Sequence, residues 1–132
     1  MDTRTETTIW PTLVYADAPA ALRFLTEAFG FEETLVVPGE GDGVVAHAEM
    51  RWPLGGGIML GSVRADSILG EQHAGVASVC VYTDEPDALF ARATAAGAEV
   101  ALGLEDTSYG ARSFTVRDPE GNLWTFGTYR GA

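Results

Sequence analysis

The chain has a single cysteine, Cys80, among 132 residues. An internal disulfide is excluded, and a thiolate metal cluster has no second Cys to draw on. No apolar run approaches ~18 residues, so no membrane span is expected. The opening residues, Met1-Asp-Thr-Arg-Thr-Glu-Thr-Thr8, are polar and hold no apolar signal core; a cytoplasmic setting is expected rather than secretion. Positive charge is scarce: Lys and Arg total 8 against 19 Asp and Glu, a net charge of -11. A phosphate backbone demands basic side chains, so nucleic acid is not an expected partner. The acidity serves solubility, or it sets up a field that attracts cationic small molecules. No Ser-His-Asp or Cys-His constellation stands out. Gly55-Gly-Gly57 precedes a strand and no Lys-Ser/Thr pair follows, so it is not a phosphate loop.

What the chain does have is apolar content, 46%, enough to pack one domain or two half-modules sharing a core. The stretch Ser108 to Gly127 reads as a hairpin. Ser113 to Arg117 alternates, Asp118-Pro-Glu-Gly121 is turn chemistry, and Leu123 to Phe126 is a second strand. Earlier, Ile9 to Tyr15 predicts a strand. Asp17 and Pro19 open a helix over 20–29 that Gly30 ends. Strands follow over 32–37, 44–50 and 58–61. After a connector come a strand over 76–82 and a helix over 87–96, opened by Asp84-Glu-Pro86 and closed by Gly97. A strand over 99–102, a loop over 103–110 and the hairpin complete the chain. The order is β-α-β-β-β twice.

The repeat is legible residue by residue. With an offset of 67, Tyr15, Asp17, Pro19, Leu22, Gly30 and Glu32 fall on Tyr82, Asp84, Pro86, Leu89, Gly97 and Glu99. With an offset of 66, Arg51, Pro53, Gly55 and Gly61 fall on Arg117, Pro119, Gly121 and Gly127. The expected fold is therefore α+β: two repeated βαβββ modules whose sheets curl around a central trough. One domain over 1–132 is expected, with module one about 9–61, a connector over 62–75 and module two about 76–129. A sheet that buries one face under its helix leaves the other for a partner or a cavity. Alternation puts Val44, Ala46, Ala48 and Met50 on the helix side and Val45, His47 and Glu49 on the trough side. Phe114 and Val116 take the helix side of the later module, with Ser113 and Thr115 on the trough side. Cys80, within Val79-Cys-Val81, reads as a buried small apolar residue. Free sheet edges suggest a homodimer.

The Tyr-x-Asp-x-Pro-x-Ala-Leu element at 15–22 and again at 82–89, the paired modules, and Asp118-Pro-Glu-Gly-Asn resemble the vicinal oxygen chelate superfamily, specifically its glyoxalase/bleomycin-resistance branch. The resemblance spans about residues 9 to 129. It implies a divalent metal held in the trough by His, Glu or Gln at matching strand positions. Those positions fall here on Trp10, Met59, Ala77 and Thr125, none of which suits Zn, Mn or Ni. A one-residue slip supplies no better ligand. No metal and no cofactor are expected.

Several residues remain as ligand contacts. Trp10 either stacks on a planar or cationic ligand or plugs the space of the metal. His47 and Glu49 share a face about 7 Å apart at ~3.4 Å per residue. They are read as a ligand-contacting pair, a structural hydrogen bond, or an unconventional metal site. His73 has no spacing to either. Tyr109 stands at the trough mouth; Thr12, Met59, Ser113, Thr115 and Thr125 complete the expected lining. Arg112 either pairs with an acidic neighbour or meets an anionic ligand. Trp52 and Trp124 are read as core. The leading expectation is a metal-free protein of the bleomycin-resistance type that sequesters a small aromatic or cationic molecule without chemistry. A glyoxalase-like lyase, isomerase or dioxygenase with an atypical metal site is the alternative. A partner-binding module with an empty trough is the third.

Overall fold

The computed structural model describes residues 7–131. β1 (Thr12–Tyr15), α1 (Ala18–Phe24) and a π-helical turn (Leu25–Phe29) are followed by β2 (Glu32–Pro38), β3 (Val45–Arg51) and β4 (Gly57–Ser62). Then come β5 (Ser78–Tyr82), α2 (Pro86–Ala95), β6 (Glu99–Asp106), β7 (Arg112–Arg117) and β8 (Leu123–Gly127). They form two open, curled four-stranded sheets, ordered β1-β4-β3-β2 and β5-β8-β7-β6. In each, the first strand pairs parallel with the last, and the remaining pairs are antiparallel. The α+β architecture is the expected one.

The helix-facing sides of both sheets close on one core. Phe29, at the end of the π turn, lies 4.7 Å from the Phe126 ring centroid and 5.4 Å from that of Trp124. Phe31 meets Trp52 at 5.0 Å and Trp124 at 5.6 Å. Two half-modules too small to bury enough surface alone thus share one interior. Trp124 is fully buried and Trp52 half-buried, with its Nε1 donating to the Tyr82 carbonyl at 2.9 Å. Both tryptophans are core, as expected.

The structure departs from the sequence reading in five ways. First, the predicted helix over 20–29 begins at Ala18, where the Asp17 carboxylate accepts from the Ala20 N–H at 3.1 Å, and its second half is a π turn. A π turn carries one extra residue. This resets the repeat. Strand pairing makes Cys80 the counterpart of Thr12, since each lies opposite the central residue of its last strand, Thr125 or Met59. The offset is 68 (80 − 12) through the first strand and helix and 67 after the turn. Asp84 therefore does not cap α2. Glu85 stands at the cap without a side-chain bond.

Second, Val45 is buried rather than trough-facing. β2 pairs Val37 with His47 and Pro38 with Val45, leaving Ala46 as a bulge that flips the alternation. Third, β6 runs to Asp106 where a loop over 103–110 was expected. A register shift between Leu102 and Glu105 absorbs Gly103, and pairing resumes at Glu105–Ser113. Fourth, Cys80 is exposed, not buried. It lies on an edge strand opposite Thr125, on the face turned away from the helices. The first strand is also shorter than expected: Pro11 has no N–H for a ladder, and Ile9 is exposed.

A polar clasp joins the modules. Buried Asp118 accepts five hydrogen bonds. Its Oδ2 receives the Tyr15 hydroxyl (2.7 Å), Asn122 Nδ2 (3.0 Å) and Trp124 Nε1 (3.0 Å). Its Oδ1 receives the backbone N–H groups of Glu120 (3.0 Å) and Asn122 (3.1 Å). Glu120 reaches the other module, accepting from the Ala16 and Asp17 N–H groups at 2.6 and 2.9 Å. Burial first, then the Asp118 carboxylate, push the Tyr15 hydroxyl far above its ordinary pKa. The Asp-Pro-Glu-Gly-Asn turn that carries the sequence resemblance is thus a structural fastener.

Candidate functional site

The expected ligand contacts lie on the outward faces of the sheets, in two matching rows. On the first sheet, Thr12, Met59, Glu49 and Leu35 stand side by side across β1, β4, β3 and β2. On the second, Cys80, Thr125, Thr115 and Leu102 do the same. The repeat has placed the same positions at the same level of both sheets.

The two faces differ in what covers them. The connector folds over the first sheet. Arg64 donates to the Ala46 carbonyl at 2.9 Å and pairs with Asp66 at 2.7 Å, bringing Ser67 and Leu69 against Thr12 and His47. The space left there is about 70 Å³. That holds one or two waters, not a drug-sized molecule. His47 and Glu49 bond each other, Nε2 to Oε2, at 2.8 Å. Trp10 sits against Gly57 with the Arg51 guanidinium over its ring at 4.6 Å, so its π face is already engaged by a cation of its own chain.

The second sheet is open. Over its outward face lies a cavity of about 400 Å³, within the range that takes small molecules. Its floor includes Thr125, Ser113 and Cys80, and its rim Tyr82, Tyr109, Tyr129 and Arg130. Tyr109 and Tyr129 meet edge to face at 5.4 Å, and both are more than half exposed (66% and 57%). The Arg130 guanidinium stacks on Tyr82 at 3.8 Å and also borders a second cavity, of about 270 Å³, between Trp52 and Val81. The structure therefore brings together Tyr109, Ser113 and Thr125, with Thr115 bonded to Thr125 at 2.8 Å. Trp10, Thr12, His47, Glu49 and Met59 stay on the other sheet.

Cys80, Tyr82, Tyr129 and Arg130 were missed by sequence reasoning. Alternation through β5 could have supplied Cys80 and Tyr82, had Val79-Cys-Val81 not read as core. Nothing in the sequence flags Tyr129 and Arg130, which follow the last strand. Arg112 pairs with Asp87 (2.7 Å) and Asp106 (3.2 Å), the first of its two expected roles.

The metal positions implied by the resemblance do not fit a metal. With the offset of 68, the outward counterpart of Trp10 is Ser78, while Ala77 donates its N–H to Asn122 Oδ1 at 2.9 Å. Trp10, Met59, Ser78 and Thr125 offer an indole, a thioether and two hydroxyls. Divalent metals of this kind prefer imidazole and carboxylate. Among the described residues no three His, Cys, Asp or Glu converge.

The profile of the Glyoxalase/Bleomycin resistance protein/Dioxygenase superfamily matches residues 8–126. The chain belongs to this superfamily. A solved relative, TioX from Micromonospora sp. ML1, is 31% identical, covers 93% of this chain and 98% of its own, and superposes with a TM-score of 0.76. A glyoxalase/bleomycin resistance protein from Catenulispora acidiphila DSM 44928 is 25% identical, with coverage of 94% and 99% and a TM-score of 0.67. An uncharacterised protein of Mycobacterium tuberculosis (strain ATCC 25618 / H37Rv) is 35% identical over 128 residues, 92% of this chain and 74% of that protein. The superfamily hosts binding proteins and metal enzymes on one fold, so the side chains decide between them. Among the described residues no helix is long and apolar enough to cross a membrane.

Proposed function

We propose that this member of the superfamily is a metal-free binding protein of the bleomycin-resistance type, which sequesters a small aromatic molecule without transforming it. The observation that carries this reading is the open, tyrosine-rimmed cavity of about 400 Å³ over the second sheet. The metal position within it is held by Thr125, whose hydroxyl is taken by Thr115. Exposed tyrosine rings gain apolar contact when a planar molecule stacks on them, and they bring little rotamer entropy to lose. The protein acts as a homodimer: the outer strands β1, β2, β5 and β6 have no neighbour on one side among the described residues, and Leu35, Val37, Val100 and Leu102 are exposed along them.

The atypical-metal enzyme reading would need His47 and Glu49 to exchange their mutual hydrogen bond for a shared metal, beneath the connector. A thermal-shift screen of planar aromatic natural products, run with and without Zn²⁺, Mn²⁺ and Ni²⁺, separates the readings. Sequestration predicts that a ligand raises the melting temperature equally with and without metal; at 100 times its Kd it adds about 2.7 kcal/mol. Stabilisation or turnover that requires metal, and that disappears in His47→Ala, would move the enzyme reading to first place. A flat response across the whole panel would leave the partner-binding module.

A further inference from the structure

The cavity's charge stands apart from that of the chain. The protein carries a net charge of -11. Yet among the described residues no Asp or Glu lines the cavity over the second sheet or the adjoining one beside Trp52. Among the described residues the one formal charge bordering both is Arg130. Its guanidinium lies flat on Tyr82 at 3.8 Å, which fixes its plane while leaving its N–H edge for a partner. A guanidinium edge recognises a carboxylate or phosphate in two-point fashion. Tyr109 and Tyr129 stand on the same rim with their rings exposed. Ser113 on the floor adds a hydroxyl.

We propose that this cavity selects planar aromatic anions: a ring system held by Tyr109 and Tyr129, with a carboxylate on the edge of Arg130. The inference rests on the small-molecule reading above and adds the sign of the ligand's charge, which the overall acidity would have set the other way. The long-range field of the protein slows the approach of such an anion. The contact itself is made where no Asp or Glu of the described residues lines the cavity.

The test uses three probes that share one ring and differ in charge: naphthalene-2-carboxylate, naphthalene-2-carboxamide and 2-naphthylmethylammonium. Binding to the full chain is measured by isothermal titration and, independently, by protection of Cys80 from a thiol reagent. Cys80 is the sole thiol, exposed, and part of the cavity floor. The carboxylate is expected to bind about tenfold or more tightly than the other two and to slow Cys80 labelling. Arg130→Gln should erase that preference while leaving carboxamide binding in place. Tyr109→Ala with Tyr129→Ala should weaken all three probes. Matching melting curves establish that each variant is folded. Equal affinities, or preference for the ammonium probe, would overturn the charge assignment and leave the small-molecule reading standing. No binding and no Cys80 protection by any probe would count against both.

Discussion

Asp118 gathers five donors, and only the Tyr15 hydroxyl among them can ionise at alkaline pH. Its pKa in the folded chain is raised well above the ordinary tyrosine value, by burial and then by Asp118. A raised folded pKa means the stabilisation is complete below the unfolded value and is lost as pH climbs past it. The chain should therefore lose about 1.4 kcal/mol per pH unit above pH ~10 from this group alone. Tyr15→Phe should cost about 1–3 kcal/mol at pH 7, because buried Asp118 loses a donor, and should flatten the alkaline slope. Urea unfolding at pH 7 and pH 10.5 checks both. Equal slopes for the two proteins would show that Tyr15 does not couple pH to folding.

The π turn is the element on which the two modules differ most. Gly30 closes it at φ +91°, and Arg92 from α2 donates across the module boundary to the carbonyls of Glu27 (2.9 Å) and Thr26 (3.0 Å). A Cβ at Gly30 would stand 2.9 Å from Arg92 Nη1. Gly30→Ala should thus cost about 1–2 kcal/mol of backbone strain and also displace the Arg92 bridge, which contributes about 1 kcal/mol. The two losses overlap. The double variant with Arg92→Met should be less destabilised than the sum of the singles; strict additivity would separate the glycine from the bridge. At this scale the sequence was readable where punctuation is strong. Asp17, Gly30, Gly97 and the Asp-Pro-Glu-Gly turn marked elements whose order the structure repeats. It was unreadable where one residue is inserted without changing composition. The π turn shifted the offset from 68 to 67, the Ala46 bulge turned Val45 inward, and the β6 register shift hid four more strand residues, 103–106. Site residues suffered the same way. Tyr109 followed from its loop, Ser113 from alternation, and Thr125 from the metal position that the resemblance implies. Tyr129 and Arg130 depend on how the chain leaves β8, which no local pattern encodes.

At the scale of the whole molecule, one core serves both halves while the outward rows stay on separate sheets. In the proposed homodimer a second copy would supply the neighbour that the outer strands lack among the described residues. Sedimentation at micromolar concentration should give a mass about twice 14.0 kDa. A species of single-chain mass at that concentration would overturn the dimer. The clasp has a further consequence for how the chain comes into being. Tyr15 and Asp118 are separated by 103 residues. At about 5–20 residues per second, the ribosome delivers the first strand roughly 5–20 s before the turn that fastens it. Through that interval Phe29 and Phe31 have neither Trp124 nor Phe126 to pack against. The nascent first half therefore carries apolar surface that only the last strand covers.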